Sequence, residues 1–369
     1  MESSTLIEDV EYLLRTEIAP KSAEIDRHPA ALQAALQVLG KASLLALRVP
    51  HAWGGREISE FTFRCFQEQV ARYSGALAFL QAQHQSAGTL LSRSENADLK
   101  HQYLPGMGCG QALVGISFAH LRRSPPPVTA IALADGYLLN GELPWVTGYG
   151  FFQTFIGAAV LPDGQAVYGM LPFQTTEQAT GGKLTCSEPM ALAAMNATQT
   201  VTVHCQNWLL PKSEVVKVNP VSAVVASDRL NVLHHSFFAL GCARAGLDIL
   251  TTVYQTKPLP FIQLAQEALE TELAECRQSI FSANPDARCF EQNLQLRAWA
   301  IELAVRCAHA AIAASGGSAN GMNHPAQRVY REALVYTVSG QTTAVMEATL
   351  TRIQAPERKA FNITNSYKS

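Results

Sequence analysis

The chain has 369 residues, of which 48% are hydrophobic and only 16% charged, against roughly 25% charged in ordinary soluble proteins. With 28 basic and 30 acidic residues the formal net charge is −2. There is no basic surplus to neutralise phosphates, which excludes a dedicated nucleic-acid binder, and the apolar content excludes disorder. The length suits two or three domains of ~150 residues, and the shortage of charge calls for a cause.

The start, Met1 through Asp9, has neither the basic nor the apolar segment of a secretion signal, and no run approaches the ~18 uninterrupted apolar residues of a spanning helix. Cys65, Cys109, Cys186, Cys205, Cys242, Cys276, Cys289 and Cys307 are scattered, with no C-x-x-C pair. That pattern reads as buried thiols in a reducing compartment, with neither a disulfide frame nor a metal site, so a cytoplasmic protein without a membrane segment is expected.

Residues 1–111 are helical in pattern. Leu32, Ala35, Leu36 and Leu39 recur at helical spacing, and Gly40 is placed to stop that helix. The glycines of His51 through Gly55 predict a loop, and helical patterns return over Phe61–Ser74 and Leu77–Leu91. Residues 112–217 read as antiparallel β-structure. Val128–Leu133 precedes the turn signal Asp135-Gly136, and Tyr137–Leu139 precedes Asn140-Gly141. Gln153–Leu161 and Gln165–Leu171 flank Pro162-Asp163-Gly164, and Thr198–His204 alternates with a strand's period. Residues 218–369 return to helix. Ile262, Ala265, Leu269, Leu273, Cys276 and Ile280 form one stripe; Leu294, Ala298, Ile301, Val305 and Ala308 form another. Such near-heptad stripes predict long antiparallel helices in a four-helix bundle.

Several local motifs accompany this α–β–α order. They are Leu47 to Pro50 with Trp53-Gly54-Gly55; Tyr103-Leu104-Pro105; Gly115-Ile116-Ser117; and Gly136 to Gly141 followed by Pro144-Trp145-Val146-Thr147-Gly148. Asn207 to Pro211, Ser315-Gly316-Gly317 and Arg328 to Ala333 complete the set. Together they resemble the acyl-CoA dehydrogenase superfamily over almost the whole chain. The resemblance implies an α+β fold with a helical N-terminal domain, a middle β-barrel or sandwich and a C-terminal four-helix bundle. It implies FAD as cofactor, a small substrate such as an acyl-CoA, and a homo-oligomer, dimer or tetramer. By resemblance, Ser117, Phe118 and Ala119 lie on the strand that supplies groups to the flavin ring, Trp145 covers its face, and Thr147 meets its edge. Gly316 and Gly317 let backbone approach the cofactor's other half from a neighbouring subunit.

The chemistry departs from that pattern. A family dehydrogenase removes a proton beside a thioester carbonyl with a carboxylate while hydride leaves for the flavin; here Gly340 stands at the base position. The alternative position falls on Asn231, three residues from Asp228, and Glu347 lies about 10 Å further along a helix than Gly340. No catalytic residue is therefore assigned. The family's Arg-x-x-Phe-Gly falls on Tyr254–Phe261, which holds two prolines and no arginine; Ala313 stands where a Gln is common. Arg122-Arg123 replaces the pyrophosphate loop, with charge for a diphosphate or for solvent. His120 replaces a family Glu, and reads as a surface or supporting residue. His234 and His235, about 100° apart if helical, cannot both face one ligand, and read as core or interface histidines. Gly106, Gly108 and Gly110 lack dinucleotide-fingerprint spacing. Three functions share this architecture: an FAD-dependent acyl-CoA dehydrogenase-like oxidoreductase without the usual Glu, a flavin monooxygenase, whose usual histidine maps to Ser339, and a non-catalytic protein.

Overall fold

The structure, a computed structural model, describes residues 2–354. The chain opens with α1 (Glu2–Leu13), α2 (Ser22–Arg27), α3 (Pro29–Lys41), α4 (Glu60–Tyr73), α5 (Gly75–Ser92) and α6 (Ala97–Met107). Three of these start on side chains that satisfy first-turn N–H groups: Ser59, Ser74 and Asn96 each accept from the backbone N–H three residues on. The Leu32, Ala35, Leu36 and Leu39 face of α3 is buried as its spacing predicts. Gly40 differs from expectation. It lies inside the last helical turn, and a Cβ there would come 2.7 Å from the Cys109 carbonyl oxygen. The residue serves a close approach of two backbones, not a left-handed stop.

Nine strands follow: β1 (Val114–Ser117), β2 (Val128–Leu133), β3 (Gly136–Val146), β4 (Thr154–Val160), β5 (Gln165–Pro172), β6 (Thr176–Glu177), β7 (Lys183–Cys186), β8 (Val201–Pro211) and β9 (Val215–Pro220). They form one sheet in the order β6-β7-β8-β3-β2-β4-β5-β9, with β1 beside β4. The hairpins at Asp135-Gly136 and Pro162 to Gly164 are present. The sheet is mixed, however, and not purely antiparallel, because β1 and β2 both run parallel to β4. β1 arrives from the helical segment and not through a hairpin, which frees it to pair in parallel. Asn140-Gly141 does not turn the chain. It lies within β3 at a register irregularity, with Gly141 at φ +121° facing the Pro127 carbonyl too closely for any side chain. Thr198 closes a 3-10 turn, so β8 begins only at Val201.

The remainder is α7 (Ser222–Leu230), α8 (Ser236–Thr256), α9 (Pro260–Phe281), α10 (Phe290–Ser315), α11 (Pro325–Val338) and α12 (Thr343–Gln354). Helices α8 to α11 make the expected four-helix bundle, and α12 lies against α10 as a fifth. The α9 stripe is buried except Ala265, and the α10 stripe is buried except the half-buried Val305. α8 is long and apolar enough, by length and composition, to cross a membrane. In this fold it is the bundle's central helix, packed on α4, α9, α10 and α11. The α8–α9 turn consists of Lys257, Pro258 and Leu259 alone.

Candidate functional site

Ser117 ends β1. It is buried, and its Oγ has no hydrogen-bond partner. Phe118 and Ala119, expected on the same strand, have left it: Phe118 turns the backbone (φ −147°, ψ 5°) and Ala119 begins a 3-10 turn through Arg122. The Phe118 ring packs edge-on against Tyr168 at 6.0 Å, and Ala119 is exposed. His120 is buried. Its Nε2 donates to the Ala158 carbonyl at 2.9 Å, which leaves Nδ1 without a partner. Burial, with Arg123 and Arg122 nearby, pushes this imidazole down to about 4, so it is neutral at neutral pH.

Trp145 lies one residue before the end of β3, at φ +58° and 56% exposed. Holding a bulky side chain in the left-handed region costs energy that the surrounding strands must offset. Thr147 sits just past the strand, not on it, and its buried hydroxyl pairs with that of Thr200 at 3.0 Å. The Phe152 ring joins the two segments, since a Cβ at Gly115 or at Gly148 would strike it. Gly115, two residues before Ser117, and Gly148, next to Thr147, thus pack on one aromatic ring. Gly316 and Gly317 are elsewhere. They cap α10, exposed and with open space around both, and their turn packs substantially on α10 and α11, not on β1 or β3.

The α11–α12 turn places Gly340 at φ +58°. The space beside it is filled by His235: a Cβ at position 340 would lie 2.5 Å from the imidazole Nε2. His235 Nδ1 is 3.1 Å from Ser339 Oγ. Buried Arg297, on α10, donates to the Val232 carbonyl at 3.0 Å, the Ser339 carbonyl at 2.8 Å and the Gly340 carbonyl at 3.0 Å. It therefore ties the turn before His235 to the turn at Gly340. Burial pushes the Arg297 guanidinium down to about 10, and holds His235 well below its ordinary value together with the charges of Arg297, His234 and Arg122.

Arg122 grips both carboxylate oxygens of Asp228, at 2.6 and 2.5 Å, and so joins the turn after β1 to α7. Its charge is committed to that pair and not held out for a diphosphate. Asn231 caps α7 and bonds back to Ser227, while Glu347 is exposed on α12. The two histidines lie in the turn before α8, not on a helix, and face apart: His234 Nε2 is 3.7 Å from Glu60. Burial opposes ionisation of Glu60, but His234, Arg48 and Arg64 hold it down to about 2. The pairing of His235 with Ser339 crosses 104 positions. Only the glycine at 340 hinted at it, by vacating space.

Residues 1–111 match the acyl-CoA dehydrogenase N-terminal domain family. A Bacillus subtilis acyl-CoA dehydrogenase is 23% identical over 92% of this chain and 94% of its own length. A mitochondrial isovaleryl-CoA dehydrogenase of Solanum tuberosum is 22% identical over 92% of this chain and 87% of its own. Among solved structures, a glutaryl-coenzyme A dehydrogenase in complex with glutaryl-CoA superposes with a TM-score of 0.80 at 17% identity, covering 96% of this chain and 95% of that one. A Bacillus anthracis acyl-CoA dehydrogenase complexed with FAD gives 0.77 at 17% identity, covering 95% of this chain and 67% of that one.

Proposed function

We propose that this member of the acyl-CoA dehydrogenase superfamily is an FAD-dependent oxidoreductase of an acyl-CoA thioester. The observation that carries the reading is the sheet end. A planar heteroaromatic ring needs a face to lie on and polar partners at its edge. Trp145 offers a half-exposed indole, and Ser117 Oγ at the end of β1 and His120 Nδ1 in the turn after it are buried polar atoms without partners. Leaving such atoms unpaired costs about 1–3 kcal/mol each, which a bound ligand recovers. These residues fit the ring end of a flavin; Arg122, paired with Asp228, supplies nothing to its phosphates. When bound, FAD supplies a hydride acceptor. The chain's own residues then bind and orient: Ser117 and His120 toward the ring edge, Trp145 along its face, and Thr147 fixing the segment through Thr200.

A homo-oligomer, dimer or tetramer, belongs to the same reading. Tyr330, Leu334 and Val338 expose an apolar stripe on α11, and Met346, Leu350 and Ile353 expose another on α12. In such an assembly Gly316 and Gly317 of one copy would meet the cofactor of its neighbour. Free cysteines throughout the described chain support a reducing, cytoplasmic location. The test is spectral. The purified chain, mixed with FAD and desalted, is expected to keep flavin absorbance near stoichiometry and to lose it on anaerobic addition of butyryl-CoA. A protein that leaves the column colourless refutes the reading.

A further inference from the structure

We propose that His235 is the proton-transfer residue of this site, working in the space that Gly340 leaves open. The inference rests on the reading of the chain as an acyl-CoA oxidoreductase. Glycine at 340 removes a carboxylate and also makes room, because any side chain there would collide with the imidazole. The ring is held at one nitrogen only. Nδ1 meets Ser339 Oγ, whereas Nε2 has no hydrogen bond among the described residues and is not among their buried unpartnered atoms. In the tautomer where Nδ1–H donates to Ser339 Oγ, Nε2 presents its lone pair to a ligand. Arg297 fixes the backbone on both sides of the pair, at Val232 and at Ser339-Gly340.

The groups facing His235 are Arg297 from α10, His234 from its own turn and Arg122 from the turn after β1, with Asp228 of α7 paired to Arg122. Burial first, and then the charge of Arg297, keeps the free imidazole neutral, so that it carries a lone pair. In the step proposed, Nε2 takes the proton from the carbon beside the thioester carbonyl. The C–H bond breaks, its electron pair passes into the enolate, and the proton stays on Nε2 until it is returned.

Two measurements test this. Diethyl pyrocarbonate acylates open, neutral imidazole nitrogens, and peptide mapping of the full chain without cofactor should show His235 modified at least tenfold faster than His84, whose two nitrogens are both engaged. Equal rates would overturn the proposal, whatever happens with FAD. Second, the FAD-loaded protein in D2O should exchange the α-hydrogens of butyryl-CoA. His235→Gln should slow that exchange at least 100-fold while FAD content stays unchanged. Exchange by His235→Gln at the parent rate, or none by the parent chain, overturns the assignment. A chain that binds no FAD defeats the proposed function instead, and the acylation result still decides the openness of His235.

Discussion

His84 shows what burial does to a titratable residue in this chain. It is fully buried on α5, with Nδ1 between the Val114 backbone groups and Nε2 3.2 Å from the Met107 carbonyl. Burial pushes it down to about 4, as it does His120. Both are therefore neutral when folded and take up protons when unfolded, so stability is complete above the unfolded value near 6.5. It falls as pH drops from there toward 4, by roughly 3 kcal/mol for each histidine. The urea midpoint should accordingly decrease between pH 7 and pH 4.5, and His84→Gln should flatten that decrease. A midpoint independent of pH over this range would show that neither histidine is held neutral. In the sequence these residues stand as isolated histidines, because their partners are backbone carbonyls that no residue pattern announces.

Among the elements, the turns around His235 and Gly340 depend most on a single side chain. Arg297→Met would leave the carbonyls of Val232, Ser339 and Gly340 without their shared donor, and should cost about 2–4 kcal/mol in urea unfolding. An unchanged midpoint would mean that these turns hold by themselves. The helices around Arg297 are legible in the sequence, since long apolar stripes fix α3, α4, α5, α9 and α10 to within a few residues. Local turn chemistry likewise finds Asp135-Gly136 and Pro162 to Gly164. It fails at Asn140-Gly141, where the same dipeptide that tightens a hairpin accommodates a bulge inside β3. It also fails at Gly40, whose reason is a contact with distant Cys109. Of the candidate site, Ser117 is on the strand its motif implies, whereas Thr147 lies just past one, bonded to Thr200. Phe118 and Ala119 leave the strand, and His235 is unreadable because its partner Ser339 lies 104 positions away in the turn after α11.

At the scale of the molecule, the low charge content finds a place in the outer faces of α11 and α12. Leu334 and Leu350 are each about half exposed, 54% and 51%, on a chain with little charge to keep such faces apart. Association of copies through them would remove apolar area from water at roughly 25 cal/mol per Å². Sedimentation should find an oligomer, and Leu334→Glu with Leu350→Glu should shift it toward monomer without loss of helical signal. A monomeric parent chain would refute this use of the stripes.

The parallel pairing of β1 with β4 has a consequence for how the chain acquires its site. Ser117 is set opposite Gly157 and Val114 opposite Thr154, and between these partners the chain must first lay down β2 and β3. The adjacent hairpins close over a few residues, so they can form early, whereas this crossover closes a long loop and carries its entropy. The hairpins are therefore expected to form before β1 pairs with β4, and Ser117 takes its place only with that pairing. A site that uses Ser117 would then be completed only when the helical and β portions lock together, not when either is complete.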